Sequence, residues 1–494
     1  MSHAVFRISL IAASVALLAS CASFTPVSLE SSAQALDASA VGTLEFAGTG
    51  RWFQFGQAPA PGEAWPPFDV SRFTTDIDYG KQAARVQITR SQVVELPRLR
   101  PAPVEQRVDQ YVAGAVAWNR ALPAAGSSAP GAATLQPAAV AERRAEIWST
   151  PQGFIKAALA NHATTRSTFG GTEVSFTADG KARYVGTLDS QGRVERIRTW
   201  TDTPVLGDTL LETRFSGYRD FGGLPFPTRI VRSQGSHPVL DITVTDVKRN
   251  PALSLDAPAD VIAAKPAPVV VSADKLADGV YYLTGGTHHS VLIEQRDHLV
   301  IVEAPLNEER SLALIAKAKE IAPNKPIRYL VNTHAHFDHS GGLRSFVDAG
   351  AIIVTQKANQ SFYEQAWAAP RTISPDRLAV SGKPAVFETF SDKHVLSDGQ
   401  RAIEIHEIAG SGHNDAFALV YLPAEKVLVE ADAFTPAVVG APAPSPVNPY
   451  TVNLYDNVRR LKLDVGQIAA LHGPRVTTLA DLRAAIGLSA SAAR

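Results

Sequence analysis

The chain has 494 residues, a formal net charge of -1, 45% hydrophobic residues and 19% charged residues. That length suits two or three domains, each able to bury a core, and the near-neutral balance gives no support to a nucleic-acid binder, which carries a basic excess. A single cysteine, Cys21, excludes a disulfide framework within the chain, so any metal must be held by His, Asp and Glu.

At the N-terminus, Arg7 precedes an apolar run of 11 residues, Ile8–Leu18. The run is short of the ~20 residues that span a bilayer and suits the h-region of a secretory signal. The following Leu18-Ala19-Ser20-Cys21 resembles a bacterial lipobox. That resemblance implies a signal over 1–21, lipidation of Cys21 and a membrane anchor in the cell envelope. In a Gram-negative cell, Ala22 after the cysteine implies the outer membrane, facing the periplasm. A plain secretory signal that happens to contain a cysteine is the alternative. Residues 22–40 are rich in Ser and Ala and read as a tether.

From 41 to 260 the segments are strand-like. Val86 and Ile88 alternate with Gln87 and Thr89, and Val174 and Phe176 lead into Asp179-Gly180, a two-residue hairpin signal. A second turn is expected at Asp189–Gly192. Residues 122–140 are low in complexity and read as a mobile loop. The stretch Tyr218–Thr228 resembles a segment of β-rich lipoprotein-carrier-like domains of bacterial envelopes, which implies a curved antiparallel sheet able to hold a lipid or dock a partner; a spacer is the alternative. Ala257–Val271, with three prolines, reads as the linker between domains, placed at 261–272.

From 273 to 494 the pattern becomes α/β. Short apolar strands are expected at Val280–Leu283, Ser290–Ile293, Leu299–Val302 and Ile327–Val331. A helix is expected from Asn307 to Ala322, with Asn307 as N-cap, Glu308 and Glu309 favoured by the helix dipole, and Leu314, Ala318 and Ile321 on one face.

The chemistry concentrates after the strand Ile327–Val331. His334, His336, Asp338 and His339 fall within six residues, and Gly341-Gly342 permits a tight path into the next helix. In an extended segment His334 and His336 point the same way, while Asp338 and His339 turn toward a second point nearby. Three more candidates follow at strand ends: His413 in a glycine-rich loop, Asp432 after Glu430-Ala431, and His472 before Gly473. Imidazole with carboxylate suits zinc. Buried polar clusters need partners and rarely gather by accident, although a strand-end Asp is also a common helix cap.

This ordered set, His-x-His-x-Asp-His, a Gly-His, a strand-terminal Asp 19 residues on and a His-Gly 40 residues after that, resembles the metallo-β-lactamase superfamily over about 273–494. The resemblance implies an αββα sandwich following a mainly β N-terminal domain. It implies two Zn2+ ions, with iron or manganese as alternatives. His334, His336 and His413 would bind the first, Asp338, His339 and His472 the second, and Asp432 would bridge them. A metal-bound hydroxide would then attack a lactone, ester, amide or related bond of a small-molecule substrate, with Asp338 orienting it or carrying its proton. Asp432 stands where most true β-lactamases of the family have Cys or Ser, which argues against typical β-lactam cleavage. β-Lactamase, phosphodiesterase and mononuclear iron dioxygenase activity remain alternatives, as does a carrier lipoprotein with a vestigial hydrolase domain. Relatives have Asp at the position of Glu303, which could still reach a histidine N–H from behind. His288-His289 reads as structural, Phe362, Tyr363 and Trp367 as core, and the proline-rich Val439–Pro449 as a loop that could overhang the site. The sequence leaves the oligomeric state open.

Overall fold

The computed structural model describes residues 27–123, 130–442 and 444–488. The signal segment 1–21 and Cys21 lie outside the described residues.

The N-terminal half is built on one sheet of 13 strands in which every pairing is antiparallel. Its first strand, Thr43–Phe53, lies between Pro67–Asp78 and the last strand, His237–Arg249, so both ends of the domain meet mid-sheet, Leu44 opposite Arg249. Thr43–Phe53 alternates buried Leu44 and Phe46 with half-covered neighbours, the period of two expected of a strand with one core face. Helices Val140–Trp148 and Pro151–Ala160 cover that face. The approach is close at Gly186, where an added Cβ would stand 2.2 Å from the Phe154 ring. A cavity of about 350 Å³ remains nearby, lined by Phe46, Trp52, Phe73, Ile147, Glu142 and Arg232 among others.

Four expectations change here. The tether over 22–40 is folded where it is described: Leu29–Ala35 is a helix, Ala38–Ala40 a 3-10 turn, and Leu29, Ala33, Leu36 and Ala38 enter the core. Leu29, Ala33 and Leu36 recur at helical spacing, and Ser28 caps the helix by accepting from the Ser31 N–H at 3.1 Å. The loop over 122–140 contains a strand, Ala133–Leu135, and the turn Pro137–Ala139; residues 124–129 lie outside the described residues. The linker begins as a helix, Ala259–Ala263, whose Val261 packs with Tyr111 and Trp118, so the exposed stretch narrows to 262–270. The hairpin at Asp179-Gly180 forms, but Ala178 pairs with Ala182, which leaves three residues in the connection.

The C-terminal half is an αββα sandwich. One sheet has seven strands between Ser272 and Phe390, and the other has five between Lys393 and Ala470. The strand Leu299–Val302 is buried on both faces and so reads as an unbroken apolar run. Val300 and Val302 join Ile403, Ile405 and Leu419 between the sheets. Leu299 and Ile301 face the outer helices with Leu314, Ala318, Phe346 and Tyr363. The helix Glu308–Ile321 starts on Asn307, whose side chain accepts from the Arg310 N–H at 3.0 Å. Among the described residues no helix is long and apolar enough to cross a membrane.

The two halves touch at several places. Arg371 donates to the Val205 carbonyl at 2.8 Å, Asp208 accepts from the Thr372 and Ile373 N–H groups, and Arg98 forms a paired contact with Asp415 at 2.8 and 2.9 Å.

Candidate metal centre

The site lies where loops leave the ends of both sandwich sheets. The strands Leu299–Val302 and Ile327–Val331 are parallel neighbours, as are Val427–Glu430 and Gln467–Ala470. Their C-terminal ends therefore deliver Glu303, the His334–His339 run, Asp432 and His472 on rigid stems. His336 is the last extended residue (ψ 143) before the short helix Phe337–Ser340. Extended backbone aims His334 and His336 at one point, and the helical turn swings Asp338 and His339 to another. Glycine is required just after: a Cβ on Gly341 would lie 1.9 Å from the Leu306 carbonyl oxygen, and one on Gly342 1.9 Å from the Ser311 hydroxyl.

Among the described residues three groups of donor atoms result, the atoms of each within 4.8 Å of one another: His334, His336, His413 and Asp432; His288, Asp338, His339 and His472; and, behind these two, Glu303 with His334 and His339. Asp432 stands between the first two. Its Oδ2 lies 3.1 Å from His334 Nε2, 3.0 Å from His339 Nε2 and 3.0 Å from His413 Nε2, and its Oδ1 lies 2.8 Å from His472 Nε2. All seven residues singled out from the sequence thus converge. His288 joins them, contrary to the structural role expected of it: its Nε2 is 3.1 Å from Asp338 Oδ2. His289 does stay structural, with its ring bonded to the Gly473 carbonyl at 2.8 Å.

The donor set fits metal ions. The buried Nδ1 of His336 has no hydrogen-bond partner, whereas its Nε2 donates to the Ala58 carbonyl at 3.0 Å. His334 Nδ1 sits 3.0 Å from the Thr333 hydroxyl and His339 Nδ1 3.2 Å from Glu303 Oε2. Each ring is thereby held from behind while its other nitrogen faces the centre, the arrangement that orients imidazole ligands. His334 Nε2 and His413 Nε2 are 3.3 Å apart, and His339 Nε2 and His472 Nε2 3.0 Å apart, so lone pairs and N–H groups crowd one small space.

Electrostatics agrees with the geometry. Burial, helped by His339, pushes the His334 imidazole down to about 4 and holds it neutral, as a ligand must be. Burial and His334 likewise push His336 well down. For Asp432 burial acts upward, but His339 and His413 outweigh it and hold the carboxyl well below its usual range. Asp338 is lowered in the same sense: burial is outweighed by its hydrogen bond to His288 and by His339. His339 is the exception: Asp432 and Glu303 outweigh its burial and raise it, so a metal binding there must displace a proton.

Aromatic rings close the walls. Phe417 lies 4.8 Å from His334, ring centre to ring centre, and Tyr450 lies 5.2 Å from His413. Tyr450 follows the Val439–Pro449 stretch, of which residue 443 is outside the described residues; Val439 is exposed. Tyr363 is core, as expected, and its hydroxyl donates to Asn332 at 2.7 Å. Sequence reasoning missed the N-terminal contribution altogether. Gln57 donates to Asp338 Oδ1 at 2.7 Å, and Ala58 bonds both His336 and Asn414. No motif marks these two residues, and 278 positions separate Ala58 from His336.

Comparison with known proteins places residues 283–468 under the sequence profile of the metallo-beta-lactamase superfamily. A metallo-beta-lactamase type 2 from Elizabethkingia meningoseptica is 26% identical over 167 residues, 32% of this chain and 60% of that protein. A linear primary-alkylsulfatase from Pseudomonas sp is 28% identical over 79 residues, 16% of this chain and 12% of that protein. The chain therefore spans less than two thirds of either relative. Among solved structures, a metallo-beta-lactamase from Pontibacter korlensis is 18% identical, with 44% of this chain and 98% of that chain covered and a TM-score of 0.33. One from Hirschia baltica is 19% identical, with 44% and 97% covered and a TM-score of 0.33.

Proposed function

We propose, given that the C-terminal domain belongs to the metallo-β-lactamase superfamily, that this chain is a two-zinc hydrolase acting on a lactone, ester or amide. The observation that carries the reading is Asp432, one carboxylate in reach of histidines from the first and second donor groups: His334, His339 and His413 at Oδ2 and His472 at Oδ1. A shared anion is what two neighbouring cations need to offset their repulsion. Zinc ions held there would lower the pKa of a water from 15.7 toward about 7. The chain's own residues do the rest. Asp338, fixed by Gln57 on Oδ1 and His288 on Oδ2, is placed to accept a hydrogen bond from the attacking water, orient it and take up its proton. Phe417 and Tyr450 wall the centre and limit its access to bulk water. Asp432 itself favours lactone, ester or amide over β-lactam cleavage, for the reason given by the family's usual residue there. The alkylsulfatase relative adds sulfate esters to the substrates worth screening.

Elemental analysis of the chain lacking residues 1–21 tests this. About two zinc ions per chain, with hydrolysis in a screen of lactones, esters, sulfate esters, phosphodiesters and β-lactams, is the expected result. One iron would redirect the reading to oxygen chemistry. No metal under replete conditions, with an apolar molecule extracted from the 350 Å³ cavity of the N-terminal sheet, would replace it with a carrier, the second reading that this cavity favours.

We also propose that the chain is anchored in the cell envelope through lipidated Cys21, in the outer membrane of a Gram-negative cell. Several acyl chains hold firmly, at about 0.8 kcal/mol per buried CH₂. Cys21→Ser is expected to move the protein from the membrane to the soluble fraction; unchanged fractionation would refute the anchor.

A further inference from the structure

The N-terminal half meets the His413 loop at Arg98 and Leu99 and touches candidate ligands themselves through a short segment, Gly56–Pro59. The segment's contacts fall on two of the loops that carry candidate ligands, the His334–His339 run and the His413 loop. The Phe337 N–H donates to the Gly56 carbonyl at 3.1 Å and the Asp415 N–H to the Pro59 carbonyl at 2.9 Å. Between them, Gln57 donates to Asp338 Oδ1, and the Ala58 carbonyl accepts from His336 Nε2 and from Asn414 Nδ2, each at 3.0 Å. The segment is held firmly. Phe55 and Trp65 meet the Phe337 ring edge-on at 5.2 and 5.6 Å, and Trp65 donates to the Gln234 carbonyl at 3.2 Å. Gly56 has φ +80, and a Cβ there would come within 2.8 Å of the Phe337 ring.

These contacts do more than pack. An imidazole that donates through Nε2 keeps its lone pair on Nδ1, and Nδ1 of His336 is the buried, unpartnered atom of the first donor group. The bond to Ala58 therefore selects both the tautomer and the ring orientation that a metal would need. The Gln57 amide occupies Oδ1 of Asp338 and leaves Oδ2 beside His288, 3.1 Å away, and His339, 3.8 Å away. His334 and His339 take their rear partners, Thr333 and Glu303, from the C-terminal half. His336 takes its partner from the N-terminal half.

We infer that the N-terminal domain is an integral part of the metal centre: Gln57 and the Ala58 carbonyl are positioning groups for Asp338 and His336, so zinc affinity depends on the seating of the Gly56–Pro59 segment against these two residues. This rests on the two-zinc reading above. The test is zinc affinity of the otherwise complete protein, measured by chelator competition, alongside the thermal midpoint of the metal-free form. Gln57→Met keeps the volume and removes the donor; it is expected to weaken zinc binding by about tenfold or more while leaving the metal-free midpoint in place. Gly56→Ala, which forces the segment off Phe337, is expected to weaken it further. Asp208→Ala removes a contact between the same two domains away from the centre and is expected to leave zinc affinity unchanged. Wild-type affinity in Gln57→Met with loss in Asp432→Ala would overturn the inference and leave the metal centre standing. Wild-type affinity in both would overturn the centre itself. Should Gly56→Ala fail to fold, Gln57→Met decides alone.

Discussion

Asp432→Ala is expected to abolish the proposed turnover and to reduce bound zinc from the proposed two ions per chain to one or none. Among the described residues, this carboxylate is the one negative group in contact with His334, His339, His413 and His472 at once, and it stays ionised because His339 and His413 outweigh the effect of its burial. Without it, two cations would face each other across imidazoles alone. Loss of a mere outer partner costs about 10–100-fold in metal affinity or activity, so loss of this shared group is expected to exceed ~100-fold in both. Asp432→Asn keeps the shape and removes the charge. If Asn restores zinc binding, the role is packing; if it fails as Ala fails, the negative charge is what the centre requires. Elemental analysis and initial rates on both variants decide between them.

Glu303→Ala is expected to cost stability as well as metal. Glu303 is fully buried and sits at φ +75, a backbone region that side chains with a Cβ rarely adopt. Such a conformation persists only where its surroundings over-determine it, and here they do. One oxygen accepts from Asn332 Nδ2 at 3.0 Å and from the Thr333 N–H at 3.4 Å. The other accepts from the Thr333 hydroxyl and from His339 Nδ1. Alanine leaves these donors without an acceptor inside a dry core. Breaking a buried ionic contact on one side costs about 3–5 kcal/mol, which for a domain of this size is roughly 6–20 °C in the melting midpoint. His339 also loses the group that fixes its ring, so zinc affinity falls by about 10–100-fold. Calorimetry with and without zinc separates the two effects. A variant that melts like wild type and binds zinc like wild type would show Glu303 to be dispensable.

Much of this could be seen in the sequence because the signals are local. Leu299–Val302 is an unbroken apolar run because both of its faces are covered. Asn307 followed by two glutamates marks a helix start within one turn. The His334–His339 run stands out as a candidate ligand cluster, since its members are neighbours in the chain. What escaped depends on distant packing. Leu29 and Ala33 show an apolar stripe only against a core formed by strands far downstream, and their Ser/Ala-rich surroundings imitate a tether. His288, read with His289 as structural, joins the site only because the fold sets it 3.1 Å from Asp338. Ala58 offers a main-chain carbonyl, which no residue type can announce. Glu303 lies between these cases: its place at a strand end was visible, but the left-handed backbone that turns its carboxylate toward His339 was not.

The distance along the chain between Ala58 and its partners also sets an order in time. His336 follows Ala58 by 278 residues and Asn414 follows it by 356. At about 5–20 residues per second, roughly 20–70 s of synthesis separate the carbonyl from the second of the two side chains it holds. The pairing that joins the first and last strands of the N-terminal sheet, Thr43–Phe53 with His237–Arg249, lies wholly before Asp432 and His472 in the chain. The centre is therefore assembled across nearly the whole chain: its positioning groups come from residues 57 and 58, and the last of its candidate ligands is His472.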